Sequence, residues 1–442
     1  MLRIRKSLAS ILLRSRSVHL SHLSDLYDRK LDSDEIAIIQ KNHFNKHWAY
    51  AWENIPFYSD WRSRHKLPAK IDTISDLCAF PILTKSDLSN KRDLVQKTPY
   101  IERYTRTGGT SGIATAFPMN KLDARSSWSN THLGRRWNGI EPGDKLFMIW
   151  GHSHLFAGPG GKLQQTKRKF KDWAANIDRA SAYNLSSVEL ESIASDILRS
   201  KPAYLIAYGS CLGQLCNYLI DQNRDFRDLG VKRIVNTSET ILSEDADLVE
   251  SVFHCPVINE YGMAEAGVIG YSKGKLYPVN IFWSDFAIRL FDRRIILTTL
   301  GERCFPLINY DTEDLGTSKN TKSGMVVRLD SLLGKARDIF LVKDIDGNSQ
   351  SVSVILFDHI LKQIPQLRSL HYILTASLGI RVEYTAEGEV PTESTLRNYF
   401  LIGLSKEGVK LKPTNIEFHR LKNPLQTKAG KRLTMKIEID ET

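Results

Sequence analysis

The hydrophobic pattern changes character twice along the chain. Across residues 22–100 apolar positions recur near helical spacing, which marks Trp48, Trp52, Ile55 and Phe57 for burial. Prolines in IPFYSDW and FPILTKSDL interrupt that pattern. From residue 145 short apolar runs alternate with amphipathic stretches. Residues 145–150 predict a buried strand. Ser186, Ser187, Val188 and Glu189 form a capping box. It opens a helix with Leu190, Ile193, Ala194, Ile197 and Leu198 on one face, and Pro202 lies beyond its end. Residues 203–208, 232–237 and 256–260 read as strands; 212–222 and 243–253 read as helices. Strands alternating with helices at this spacing predict parallel β-α-β units.

Residues 275–330 read as β-rich, with RIILTTL and MVVRL as short strands, and 330–335 as a crossing between domains. A smaller α+β unit follows. Its expected parts are a strand at 339–342, a helix at 352–363, hairpin strands at 370–376 and 381–386, and a helix at 393–404. The tail NPLQTKAGKRLTMK leads into a last strand.

Composition narrows the class. With 442 residues, 42% apolar and 25% charged, the chain has an ordinary soluble globular profile of two or three domains. The net charge of +11 suits an anionic partner such as a nucleotide, coenzyme A, an acidic glycan or a membrane surface, or serves solubility alone. The densest basic run, KLQQTKRKFK at 162–171, has one aromatic residue, which speaks against nucleic acid. The five cysteines form no C-x-x-C pair, so a zinc ribbon or redox motif is not expected; an odd count fits a reducing, cytoplasmic setting. No 18-residue apolar stretch predicts a transmembrane helix. The first 20 residues are basic and lack acids. A helix packed on the domain is the preferred reading, with an amphipathic presequence or a peripheral helix on an anionic membrane as alternatives.

The candidate chemistry starts at Thr107, Gly108, Gly109, Thr110, Ser111 and Gly112. Glycines let backbone N–H groups approach an anion, and the hydroxyls add donors, so the segment suits the phosphates of a nucleotide. No Gly-Lys-Ser/Thr ends it, so it is not of the Walker type; a tight hydroxyl-rich hairpin is the plainer alternative. Ligands of open parallel sheets bind beyond the carboxyl ends of the strands. There the sequence puts Gly151-His152-Ser153-His154, Ser238-Glu239 and Tyr261-Gly262-Met263-Ala264-Glu265. His152 and His154 lack a third ligand at a recognisable spacing, which favours a substrate pocket over a metal site. AGPGGK at 157–162 reads as a flexible connection or a second anion loop. Neither Ser111 nor Ser210 lies in Gly-x-Ser-x-Gly, so a serine hydrolase is not supported.

In order, TGGTSG, TSE, NEYGMAEAG, PLINYDTEDLG, GKARD and AGKRLTMK resemble the motifs of the adenylate-forming ligases. Within them the chain is most similar to the phenylacetate-CoA ligase and capsular-polysaccharide-biosynthesis branch, over roughly residues 40–435. The resemblance implies an α/β fold: a helical segment at 1–100 packed on the large domain, a nucleotide- and acid-binding core of parallel β-α-β units at 101–330, and a mobile C-terminal lid at 331–442. It implies ATP-dependent adenylation of a small carboxylic acid, then acyl transfer to CoA or another acceptor such as a glycan-linked one. Two alternatives are AMP transfer to a cofactor hydroxyl and a degenerate, non-catalytic nucleotide- or acyl-binding partner.

Carried over by residue, the resemblance makes Thr107–Gly112 the phosphate loop and sets Ser238 and Glu239 by the adenine. Tyr261 stacks on the base, Gly262 leaves room for it, and Asp314 takes the ribose hydroxyls. Glu265 holds magnesium, an ion that prefers oxygen ligands. Lys431 offsets charge on the transferring group. Lys335 and Arg337 stand at the hinge, and His152, Tyr208 and Gly209 border the acid pocket. Departures from the pattern are Ile113 after the loop, Ala264 in place of Thr or Ser, and Asp311 and Glu313 beside Asp314. Three carboxylates together would repel a triphosphate unless some are engaged elsewhere.

Overall fold

The structure is a computed structural model. It describes all residues except 1, 17–19, 107–115, 151–160, 183–184, 186, 242, 320–323, 336–338, 362–363, 365, 376, 407–408, 424–434 and 438–442. The chain divides into two compact units, residues 1–332 and 333–442.

The first helices follow from local signals. Asp32 and Glu35 form a reciprocal capping box that starts Ser33–Asn54. Pro56 sits in the first turn of Pro56–His65, where its missing N–H costs no helical hydrogen bond. Trp48 is fully buried among the rings of Phe44, Tyr58, Trp61 and Phe80, and its indole donates to Pro68 O at 2.8 Å. Ile55 and Phe57 are buried as expected; Trp52 is only partly so, with Arg62 over its ring.

An eight-stranded sheet forms the centre of this unit. In spatial order its strands are Arg328–Leu329, Val279–Ile281, Gly267–Ser272, Val257–Met263, Arg233–Thr237, Tyr204–Ala207, Leu146–Trp150 and Ile177–Ser181. The last five are mutually parallel, and the others pair antiparallel. Both faces are covered. Leu146, Tyr204, Ile206, Val235 and Ile258 join one core; Phe147, Ile149, Leu205, Ala207, Ile234 and Val257 join another. This second core also takes the inner faces of helices Ser187–Ser200, Gly209–Asp221 and Ser243–Phe253. A four-stranded sheet lies beside it in the order Phe286–Phe291, Arg294–Thr299, Tyr310–Thr317, Ser331–Lys335.

Several expectations need correction. Leu198 does not share the buried face of its helix; it is 37% exposed, and Ser200 is buried in its place. In MVVRL only Arg328–Leu329 is strand. The segment around the basic run forms helix Gly161–Ala174 followed by edge strand Ile177–Ser181, a whole β-α-β unit that the pattern did not reveal. Its polarity hid it, because the helix buries little and the strand is half-exposed. Strand Val257–Met263 runs three residues past the expected end, through Tyr261. Ser186 of the expected capping box lies outside the described residues.

Helix Lys121–Arg136 packs on strand Gly267–Ser272 at Gly134. A Cβ there would lie 2.3 Å from the Tyr271 ring. Gly134→Ala would gain helix propensity of about 1 kcal/mol. The overpacking cost is about 1–3 kcal/mol, so net destabilisation is expected in denaturant unfolding. A variant as stable as its parent would contradict this close approach.

The second unit has a four-stranded sheet in the order Ile416–Arg420, Ile380–Ala386, Leu367–Leu374, Met435–Ile437. Helices Val354–Leu361 and Glu393–Lys406 accompany it, and Ile339–Lys343 pairs with Ser349–Ser353 as a hairpin. The expected helix at 352–363 starts later because Ser349–Ser353 is strand. Phe357, Tyr372 and Phe400 meet in its core.

Candidate functional site

Numbered along the chain, the five parallel strands stand in the order 2-1-3-4-5. The reversal lies between Leu146–Trp150 and Tyr204–Ala207. In doubly wound sheets the crevice at such a reversal, outside the carboxyl ends, is where ligands bind. Trp150 and Tyr208 mark it, with ring centroids 4.8 Å apart. Tyr208 precedes helix Gly209–Asp221, and a Cβ on Gly209 would stand 3.0 Å from Asn236 Oδ1 and from Ile241 Cβ.

The next strand end is tied to that helix. Ser238 turns the chain with φ of +65°, a left-handed conformation uncommon outside glycine. Glu239 then turns back, and its carboxylate accepts from Ser210 N at 3.1 Å. A carboxylate at a helix N-terminus satisfies an orphan donor and complements the helix dipole. Asn236 donates to Glu239 O at 2.9 Å and to Asn259 Oδ1 at 2.8 Å. Glu239 is thus held toward the helix start.

The third cluster joins Val257–Met263 to Tyr310–Thr317. Tyr261 OH donates to Asp314 Oδ2 at 3.0 Å, across 53 residues of sequence. Burial, with Asp314 beside it, holds the Tyr261 phenol well above its ordinary pKa, so it remains a neutral donor. Tyr310 OH donates to Glu265 Oε1 at 3.0 Å, and burial and that carboxylate raise Tyr310 likewise. Glu265 is itself buried, at 8% exposure.

A bulge aims Asp314. Arg294 pairs with Leu315 while Ile296 pairs with Asp311, so the second strand carries extra residues opposite Ile295. Glu313 has φ of +61°. Thr312 Oγ1 donates to Ile295 O at 2.8 Å, Asp311 Oδ1 accepts from Glu313 N at 2.8 Å, and Thr312 Oγ1 accepts from Asp314 N at 3.1 Å. The feared cluster of three carboxylates is resolved by pairing. Asp311 meets Arg294, and Glu313 meets Lys85 at 2.8 Å. Lys85 reaches Glu313 because Leu83 pairs with this strand on both sides, accepting from Asp311 N at 2.9 Å and donating to Asn309 O at 3.0 Å. The FPILTKSDL segment therefore belongs to the same site.

Gly262 has a different local reason from the one expected. A Cβ there would stand 2.7 Å from Gly267 O across the irregular pairing with the next strand.

Sequence reasoning missed Arg303 and Asp123. Arg303 is buried and donates to Ala266 O at 2.6 Å, immediately after Glu265. It faces Asp123 at 3.8 Å, and Asp123 Oδ2 accepts from Asn120 N at 2.8 Å and Cys304 N at 3.3 Å. The pair ties the start of helix Lys121–Arg136 to the Glu265 turn. Its one signal was an arginine in the apolar run around Cys304-Phe305, since a buried charge requires a partner.

Thr107, Gly108, Gly109, Thr110, Ser111, Gly112, His152, Arg337 and Lys431 lie outside the described residues. Lys335 closes strand Ser331–Lys335. Among the described residues no group of three or more His, Cys, Asp or Glu side chains is placed to hold a metal. Magnesium is commonly held by one or two carboxylates with waters and phosphate oxygens, and Glu265 offers one buried carboxylate.

No family model matches the chain. Over 302 residues it is 22% identical to protein CapK of Staphylococcus aureus, a match spanning 66% of this chain and 65%, just under two thirds, of that one. Among solved structures it resembles 2-hydroxyisobutyryl-CoA ligase in the postadenylation state with R3-HIB-AMP, at a TM-score of 0.66 and 16% identity, covering 90% of this chain and 89% of that one. It resembles ATP-bound MatB from Rhodopseudomonas palustris at 0.51 and 14%, over 76% and 67%. The anthranilate CoA ligase AuaEII with anthranoyl-AMP matches at 0.52 and 14%, over 76% and 66%. The parallel sheet, the adjoining four-stranded sheet and the small α+β unit together are the fold of the adenylate-forming ligases.

Proposed function

We propose that this chain activates a small carboxylic acid with ATP and passes the acyl group to a thiol, that of coenzyme A being the leading acceptor. A carboxylate oxygen attacks the α-phosphorus, the bond to the β-phosphate bridge breaks, and pyrophosphate leaves. The thiol then attacks the acyl carbon and AMP departs. The observation that carries the reading is the convergence of Tyr261 with Asp314 and of Tyr310 with Glu265 at the carboxyl edge of the sheet.

Each residue has a task. A carboxylate offers about four acceptor positions, and the Tyr261 bond fixes that of Asp314 at the end of the bulge, where it would accept from ribose hydroxyls. Glu265 would hold magnesium together with phosphate oxygens, and the ion would neutralise charge there. Tyr310 fixes the orientation of that carboxylate. Lys431 would supply positive charge to the transferring group, and Thr107–Gly112 would hold the phosphates. Tyr208 and Gly209, with His152, would border the acid pocket. The pairing of Asp311 with Arg294 and Glu313 with Lys85 offsets the carboxylate charge that, together with Ala264, speaks for the degenerate, non-catalytic alternative. A role in surface-polysaccharide synthesis rests on the sequence resemblance alone.

The test is ATP–pyrophosphate exchange by the purified chain with magnesium and a panel of aliphatic, aromatic and hydroxy acids. Exchange that depends on one acid class is expected. Absence of exchange with every acid, together with no ATP binding by calorimetry, would overturn the reading.

A further inference from the structure

Nine of the chain's eleven net positive charges lie on two helices. LRIRKSLASILLRSR, helix Leu2–Arg16, holds five cations and no acid; GKLQQTKRKFKDWA, helix Gly161–Ala174, holds five cations and one acid. The rest of the chain is nearly neutral. The two helices adjoin, with Arg5 Nε donating to Trp173 O at 2.9 Å. Lys167, Lys169 and Lys171 are exposed on the second helix, while Arg5, Lys6 and Arg168 pair with Asp178, Asp144 and Asp172.

That surface also exposes apolar side chains. The first helix turns Ala9 and Leu13 inward, and Lys6 reaches Asp144 at 2.7 Å. Outward, Leu8 is 45% and Ile11 69% exposed. On the second helix Phe170 is 66% and Trp173 45% exposed, their rings stacked at 5.9 Å. Large apolar groups beside exposed lysines, here Phe170 and Trp173 beside Lys167, Lys169 and Lys171, are the pattern of helices that lie in a lipid interface, where Trp sits at headgroup level. Nucleic acid would use the charge but has no use for the aliphatic Leu8 and Ile11. Among the described residues no helix is long and apolar enough to cross a membrane.

We infer that helices Leu2–Arg16 and Gly161–Ala174 dock the chain on the surface of an anionic lipid bilayer, with Leu8, Ile11, Phe170 and Trp173 entering the headgroup region. The first helix meets the amino ends of two parallel strands, where Arg5 pairs with Asp178 and Lys6 with Asp144, and the second helix ends at the amino end of strand Ile177–Ser181. The candidate site lies at the opposite, carboxyl ends of these strands.

The test is co-sedimentation of the full chain with phosphatidylcholine vesicles, with and without phosphatidylglycerol, at low and high salt. Binding at least about tenfold stronger to the anionic vesicles is expected, and high salt should weaken it. The double variant Ile11→Glu with Phe170→Glu should lose about tenfold or more in partitioning, with an unchanged melting temperature because both side chains are exposed. Replacing Lys167, Lys169 and Lys171 with Glu should do the same. Binding indifferent to lipid charge, no binding, or a double variant that binds like its parent would overturn the inference. So would equal affinity for single-stranded RNA that survives the double variant, which would mark a polyanion surface instead.

Discussion

Lys431→Ala is expected to lower ATP–pyrophosphate exchange by about 100-fold or more, while thioester formation from supplied acyl-adenylate and CoA stays near the parent rate. The expected size follows from the chemistry. Attack on the α-phosphorus develops negative charge, and one well-placed donor or cation at such a centre is worth roughly 2.7–4 kcal/mol. The second half-reaction moves the bond change to the acyl carbon and has no need of that charge. The neighbours Lys428 and Arg432 provide the control, since this tail is basic throughout. Alanine at either should cost far less in exchange. Equal loss in both half-reactions would contradict the role given to Lys431.

Asp314→Ala has the next largest expected effect, and it has two parts. Loss of the acceptor proposed for the ribose should weaken ATP binding by one to two orders of magnitude, since hydrogen bonds to a charged group contribute about 1.5–3 kcal/mol. Truncation also leaves the buried Tyr261 hydroxyl without the acceptor seen here at 3.0 Å. Loss of an acceptor from a buried hydroxyl costs up to about 1–3 kcal/mol of stability, less as Thr312, also bonded to this phenol, takes its place. The two parts are separable by a double-mutant cycle. Adding Tyr261→Phe to Asp314→Ala should recover stability, because both partners then go, but should not restore ATP affinity. Recovery of both would make Asp314 a purely structural partner of Tyr261. Unchanged ATP affinity in Asp314→Ala would remove it from the nucleotide site.

Much of the architecture was legible because local signals agreed. The strand at 146–150 and the helix at 243–253 announced themselves through continuous apolar runs and helical periodicity, and both elements lie where those patterns put them. The alternation of strands and helices implied a parallel sheet, and the parallel sheet implied that function collects at the carboxyl ends. The β-α-β unit at 161–181 carries no long apolar run, since its strand is an edge and the described side chains of its helix, residues 166–174, are exposed or half-buried. Leu198 was misassigned for a related reason: helical spacing defines a stripe but not its rim, and packing buried Ser200 instead.

The candidate site divides along the same line. Its residue types and their order along the chain were readable, because glycine, tyrosine and carboxylate motifs are local strings. The contacts that give them a geometry were not. Asp311 and Glu313 looked like an electrostatic fault beside Asp314, and only the bulge, Arg294 and Lys85 show how their charge is balanced. Arg303 and Asp123 had no motif, yet they tie the Glu265 turn to the helix after the glycine loop. By itself the sequence determined most of the elements, their alternation, the residue types of the candidate site and the charge of two segments. Tertiary structure alone decided the strand order 2-1-3-4-5, the place of the crevice and the partner of every buried charge. The physical reason is range. Propensity and periodicity act over a few residues, whereas hydrogen bonds and ion pairs join groups 53 or 228 positions apart once the backbone has folded.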